Sequence, residues 1–146
     1  MRRILIVNGP NLNLLGKREP EVYGTQTLDE LNDRLAETAK ALSLDVAFFQ
    51  SNSEGALIDY LHREAPNADG LVINPGALTH TSYALRDAIA AVNIATVEVH
   101  MSNIYAREEF RHTSVMAPVC IGHLVGFGFY GYAMALSYFA DNVKKG

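Results

Sequence analysis

Residues 70–92 read GLVINPGALTHTSYALRDAIAAV, and this stretch carries the plan of the chain. Gly70–Asn74 is a short apolar run stopped by Pro75-Gly76. A run of that length without polar alternation fits a strand covered on both faces. Thr81–Val92 then sets Ala84, Leu85, Ala88, Ile89 and Val92 on one side at helical spacing. The unit is strand, polar turn, helix.

The same unit recurs on either side. Ile4–Asn8 is stopped by Gly9-Pro10, and Thr27–Ser43 carries Leu28, Leu31, Leu35, Ala39 and Leu42 on one stripe. Its start, Thr27-Leu28-Asp29-Glu30, has the capping-box pattern. Asp45–Gln50 reads as the second strand. Glu54–Ala65 reads as a helix capped by Ser53 and stopped by Pro66. Ala95–Val99 and Pro118–Val125 read as the fourth and fifth strands, and Phe127–Val143 as the last helix. Apolar strands alternating with amphipathic helices imply a parallel sheet with helices on both faces and right-handed crossovers. The expected fold is α/β: a flavodoxin-like, doubly wound, five-stranded parallel sheet of order 2-1-3-4-5. Residues 1–146 form one domain. The segment Gly9–Gln26 lacks periodicity and holds Arg18 and Tyr23, which suggests a lid over a site within residues 17–25.

Composition narrows the function. Lys and Arg total 12 against 16 Asp and Glu, a net charge of −4, so a sequence-independent nucleic-acid binder is disfavoured. One cysteine, Cys120, excludes an intrachain disulfide and points to a reducing, cytoplasmic setting. The apolar run after Arg3 is too short for a secretory signal. Val115–Ala140 contains no Asp, Glu, Lys or Arg. It is broken by Pro118 and several glycines, and reads as strand, turn and packed helix rather than a membrane span.

In such folds ligands lie beyond the carboxyl ends of the strands. There the sequence places Asn8–Asn13, Asn74–Ser82, Glu98–Asn103 and Arg107–His112. Glu98 and His100 are two apart on a strand and share a face, so the carboxylate can orient the imidazole for acid–base work. Tyr23 needs its pKa lowered by roughly 3 units, about 4 kcal/mol, to act as a base near pH 7. One guanidinium about 4 Å away supplies that much at an effective dielectric of 20. The five histidines show no metal-ligand spacing, and His123 reads as a satisfied core histidine. Gly126-Phe127-Gly128-Phe129-Tyr130-Gly131 matches GxGxxG, but the strand and acid that complete a dinucleotide fingerprint are missing, so it reads as close packing. Without a GxSxG elbow, a hydrolase using Ser82 or Ser102 is disfavoured. A flavodoxin-like module holding a phosphate or flavin stays as the alternative, although such a module has no reason to contain the set Arg18, Tyr23 and His100.

Several stretches together resemble type II 3-dehydroquinate dehydratase, the small shikimate-pathway enzyme. They include Asn8–Gly16 (NGPNLNLLG), Arg18-Glu19-Pro20, Tyr23-Gly24, Gln50-Ser51-Asn52, Asn74-Pro75-Gly76, His80-Thr81-Ser82, Arg86-Asp87, Glu98-Val99-His100, Ser102-Asn103, Phe110-Arg111 and Gly131-Tyr132. The resemblance implies anti elimination of water from 3-dehydroquinate through an enol or enolate, giving 3-dehydroshikimate. It implies Tyr23 as base, Arg18 as the cation that acidifies it, and Asn11 as the enolate stabiliser acting with a held water. His100 would be the acid, oriented by Glu98. Asn74 and the backbone at Met101 and Ser102 would bind the substrate carboxylate. His80, Arg111 and Asp87 from a neighbouring subunit would bind the ring hydroxyls. It also implies no metal, no organic cofactor, and a homododecamer built as a tetramer of trimers. The type I class uses a lysine Schiff base, and none of Lys17, Lys40, Lys144 and Lys145 reads as the desolvated amine that needs.

Overall fold

The apolar runs pair as the pattern predicts. The computed structural model describes residues 1–142, apart from the side chains at positions 22, 23 and 142. Strands β1 (Arg2–Asn8), β2 (Leu44–Gln50), β3 (Gly70–Asn74), β4 (Thr96–His100) and β5 (Gly122–Val125) form one parallel sheet, ordered β2-β1-β3-β4-β5. Alternate residues feed opposite cores. Ile4, Ile6, Val72, Val97 and Val99 face helices α2 (Leu28–Ala41) and α5 (Phe129–Asn142), which contribute Leu31, Leu35, Tyr132, Leu136 and Phe139. Leu5, Val7, Leu71 and Ile73 face α3 (Glu54–Glu64) and α4 (Tyr83–Val92), which contribute Leu57, Leu61, Leu85 and Ile89. Burying one such side chain stabilises by about 1.5–3 kcal/mol. A helix cap contributes about 1 kcal/mol. Packing therefore decides that these elements form, and local chemistry decides where they stop.

The stops differ from the periodic reading by one to four residues, each for a visible reason. Thr27 lies outside α2 as its cap, accepting from Glu30 N while Glu30 Oε1 accepts from Thr27 N. Ser43, at φ 59°, has left the right-handed region. Ser82 caps α4 by accepting from Leu85 N, so the helix begins at Tyr83 and not at Thr81. Gly128, at φ 56°, cannot continue a right-handed helix, so α5 starts at Phe129. The expected end of that helix, Val143, lies outside the described residues. The fifth strand is shorter than expected. Pro118 lacks an N–H and sits in a 3₁₀ turn at Ala117–Val119, and pairing to β4 starts with Ile121 N donating to Thr96 O. The aperiodic segment after β1 holds a 3₁₀ turn at Leu12–Leu14 and one short helix, α1 (Pro20–Tyr23). Among the described residues no helix is long and apolar enough to cross a membrane.

Candidate active site

The loops leaving β1 and β3 cross at the carboxyl end of the sheet. Gly9 N donates to Asn74 O at 2.8 Å. A Cβ on Gly9 would lie 2.5 Å from the Pro75 carbonyl oxygen, so this crossing requires glycine. Asn11 follows at φ 72°, a left-handed conformation that asparagine tolerates better than most residues. Its N–H donates to Asn52 Oδ1 at 2.9 Å. Gln50 Nε2 ties the same oxygen and the Gly9 carbonyl together, each at 3.1 Å. The end of β2 thus braces the turn that presents Asn11.

Asn74 closes β3 and is held from both sides. Its Nδ2 donates to Tyr132 Oη at 2.9 Å, and its Oδ1 accepts from Gly76 N at 3.1 Å. Tyr132 Oη in turn donates to Asn8 Oδ1 at 2.6 Å. Burial of Tyr132 pushes its phenol well above the ordinary range, although the bond from Asn74 opposes this. It stays neutral and acts as a fixed strut.

On β4 the period-two reading holds. Glu98 and His100 share a face, with His100 Nε2 at 2.5 Å from Glu98 Oε2. Glu98 has no exposed surface. Burial pushes its carboxyl up, but the hydrogen bond and positive charge of His100, followed by the Thr79 hydroxyl, outweigh it and hold the group below the usual range. Thr79 Oγ1 donates to Glu98 Oε2 at 2.6 Å and lies 3.2 Å from His100 Nε2. Ser114 Oγ lies 2.8 and 3.0 Å from the two carboxylate oxygens, and itself accepts from Met116 N and Ala117 N. Sequence reasoning named neither hydroxyl as a site residue. Thr79 stands inside the polar stretch after β3, which was its only signal, and Ser114 gave none.

His100 opens on a cavity whose lining includes Asn11, Arg18, Asn74, His80, Met101, Ser102, Arg107 and Arg111. Three guanidiniums meet there. Glu19 bridges Arg18 and Arg107 at 3.3 and 3.4 Å, and Arg107 Nη1 approaches Ser102 Oγ at 3.4 Å. Arg111 pairs with Glu108 at 2.7 Å and lies over the Phe110 ring. His80 Nδ1–H donates to Thr113 O at 2.8 Å. Three guanidiniums gathered at one wall suit an anionic ligand despite the acidic chain. Arg107 was missed as a site residue, although it stands in the polar stretch after β4.

Eight of the eleven residues singled out from the sequence therefore line one cavity, and Glu98 stands directly behind His100. Asp87 is exposed on α4 and does not line this cavity. The side chain of Tyr23 lies outside the described residues. His123 is not the satisfied core histidine expected: its Nε2 is shielded from solvent and makes no hydrogen bond among the described residues, with Glu98 Oε2 3.5 Å away.

Residues 2–140 match the family described as dehydroquinase class II. A 3-dehydroquinate dehydratase of Bacillus licheniformis is 58% identical over 145 residues, covering 99% of this chain and 100% of the relative. One of Pelotomaculum thermopropionicum is 60% identical over 134 residues, 92% and 93% of the two chains. The crystal structure of type II dehydroquinase from Propionibacterium acnes superposes with a TM-score of 0.94 at 44% identity, covering 97% of this chain and 98% of that one.

Proposed function

The chain belongs to the class II dehydroquinase family, and on that premise we propose that it removes water from 3-dehydroquinate, giving 3-dehydroshikimate by anti elimination through an enol or enolate. The buried Glu98–His100 pair, opening on a cavity walled by Asn11, Asn74 and three arginines, carries this reading.

Each residue has a task set by its surroundings. The substrate carboxylate binds to Asn74 and to backbone N–H groups at Met101 and Ser102. Tyr23 takes the proton alpha to the ketone, which becomes an enolate. Arg18 keeps that phenol acidic, and Asn11 stabilises the enolate oxygen through a held water. His100 then protonates the departing hydroxyl. Its Nε2 is turned to Glu98, which holds the ring in place, so Nδ1 delivers the proton. The ring hydroxyls bind to His80, Arg111 and Asp87 of a neighbouring subunit. Residues 17–25 close over the site as a lid, with Glu19 latching Arg18 to Arg107. No organic cofactor or metal takes part in this scheme. The assembly is a homododecamer of four trimers, and the lone cysteine supports a cytoplasmic setting.

The test is a turnover assay in the presence of chelator. Adding 3-dehydroquinate is expected to give the ultraviolet absorbance of a conjugated enone, and Tyr23→Phe to lower the rate by orders of magnitude with an unchanged melting temperature. A flat trace from folded protein overturns the activity. Undiminished turnover in Tyr23→Phe overturns the choice of base.

A further inference from the structure

His123 is a polar group beside the catalytic pair that the dehydration scheme leaves unused. It sits on β5 in direct register with Glu98 on β4. Its Nε2 lies 3.5 Å from Glu98 Oε2, shielded from water and without a hydrogen bond among the described residues. A buried nitrogen left without a partner costs free energy, so its orientation toward a carboxylate calls for a use. The His123 ring stands edge-on to His100, with centroids 5.6 Å apart and planes at 85°. One ligand atom from each of Glu98, His100 and His123 lies within 4.8 Å of the others. Two imidazole nitrogens and one carboxylate oxygen form the donor set that binds zinc with a fourth position left for water.

We propose that Glu98, His100 and His123 bind a divalent transition-metal ion of the zinc type, and that its occupation switches the enzyme off. His100 also lines the active-site cavity. The ion takes the place of the His100 Nε2–H that points at Glu98 Oε2 2.5 Å away, so the hydrogen-bonded pair on which the acid step relies is broken while the ion is bound. The proton that Nε2 directs at Glu98 is released to solvent as the metal binds. The inhibition rests on the dehydratase reading, and the binding does not.

Chelator-treated protein is titrated with cobalt(II), read by its visible spectrum, and with zinc(II), read by enone formation. The expected results are one cobalt per chain with the bands of a four-coordinate site, and loss of turnover on zinc addition that is reversed by chelator. His123→Val and His123→Gln, the latter keeping a polar side chain of similar reach, are expected to keep near-normal basal turnover. Both should need more than about tenfold more metal, since even outer-shell partners of metal ligands are worth 10–100-fold in affinity. Cys120→Ser controls for the lone thiol and is expected to behave as the parent. The site is overturned if the parent gives no such spectrum, if both His123 variants bind cobalt as tightly as the parent, or if only Cys120→Ser loses metal. Zinc bound through His123 without loss of turnover overturns the inhibition. A chain that binds cobalt through His123 but never forms the enone supports the site and overturns the dehydratase reading.

Discussion

Glu98 is an ionised carboxylate with no exposed surface, and its neighbours explain how it persists. A buried charge is tolerated only when hydrogen bonds replace the lost water. Here His100, Thr79 and Ser114 do so. The charge also reaches Cys120. Burial first, then the Glu98 charge, pushes that thiol up to about 12 from an ordinary 9.0. The folded value exceeds the unfolded one. The associated stability is therefore complete below pH 9 and is lost as pH rises from 9 toward 12. At pH 8 the thiolate fraction falls from roughly one tenth to one ten-thousandth, so iodoacetamide should label native Cys120 about 1000-fold more slowly than the unfolded chain. Mass spectrometry of the labelled protein at pH 8 checks this, with Glu98→Gln expected to label faster than the parent. Native labelling at the unfolded rate would contradict the burial. The residue scale is also where sequence reading divides. Glu98 and His100 were legible because a strand repeats every two residues. Thr79 and Ser114 lie 19 and 16 residues from Glu98, on connecting segments (for Thr79 a 3₁₀ turn) whose approach no local pattern encodes.

At the scale of elements, the site exists because two loops cross and a third strand end braces them. The crossing is the tightest point of that arrangement. In Gly9→Ala the new methyl would meet the Pro75 carbonyl oxygen at 2.5 Å and its carbon at 2.7 Å, both backbone atoms with little room to give. Overpacking of this kind costs about 1–3 kcal/mol. It would also move Asn74, whose carbonyl receives the Gly9 N–H. Gly55 offers the contrast: it lies in α3, exposed, and a Cβ there meets nothing closer than Ser53 Oγ at 3.9 Å. Gly55→Ala should stabilise by up to about 1 kcal/mol through helix propensity alone. Urea unfolding of the two variants, with turnover measured alongside, should give opposite signs in stability and a lost rate only for Gly9→Ala. Equal effects would mean that the crossing is more pliant than its distances imply. The strands and helices around this crossing were readable from periodicity, because burial on both faces writes itself into the apolar pattern. Their ends were not, because Pro118, Gly128 and Ser82 act through one dihedral angle or one hydrogen bond, which periodicity averages away.

At the scale of the whole molecule, two features of the surface point beyond one chain. β5 is an edge strand. Beside it, Ile121, Phe127 and Tyr130 are 54%, 58% and 64% exposed, a grouping of large apolar side chains that an isolated domain seldom shows to water. Asp87 is the second: assigned to a substrate hydroxyl, it stands exposed on α4 and lines no part of its own chain's cavity. Both follow if each site in the proposed dodecamer is finished by a neighbour, and subunit mixing tests that directly. On the proposed roles, Tyr23→Phe spoils the site in which it resides and Asp87→Ala spoils the site of the adjacent chain. Each variant alone should be nearly inactive. In assemblies co-refolded from equal amounts, a working site needs its own Tyr23 from an Asp87→Ala chain and its neighbour's Asp87 from a Tyr23→Phe chain. With random closed assembly this holds for about a quarter of sites. Turnover should therefore recover to about a quarter of the parent value, while mixing without refolding recovers nothing. If Asp87 acted within its own chain, each site would carry one lesion or the other, and the co-refolded assembly would stay as inactive as its components.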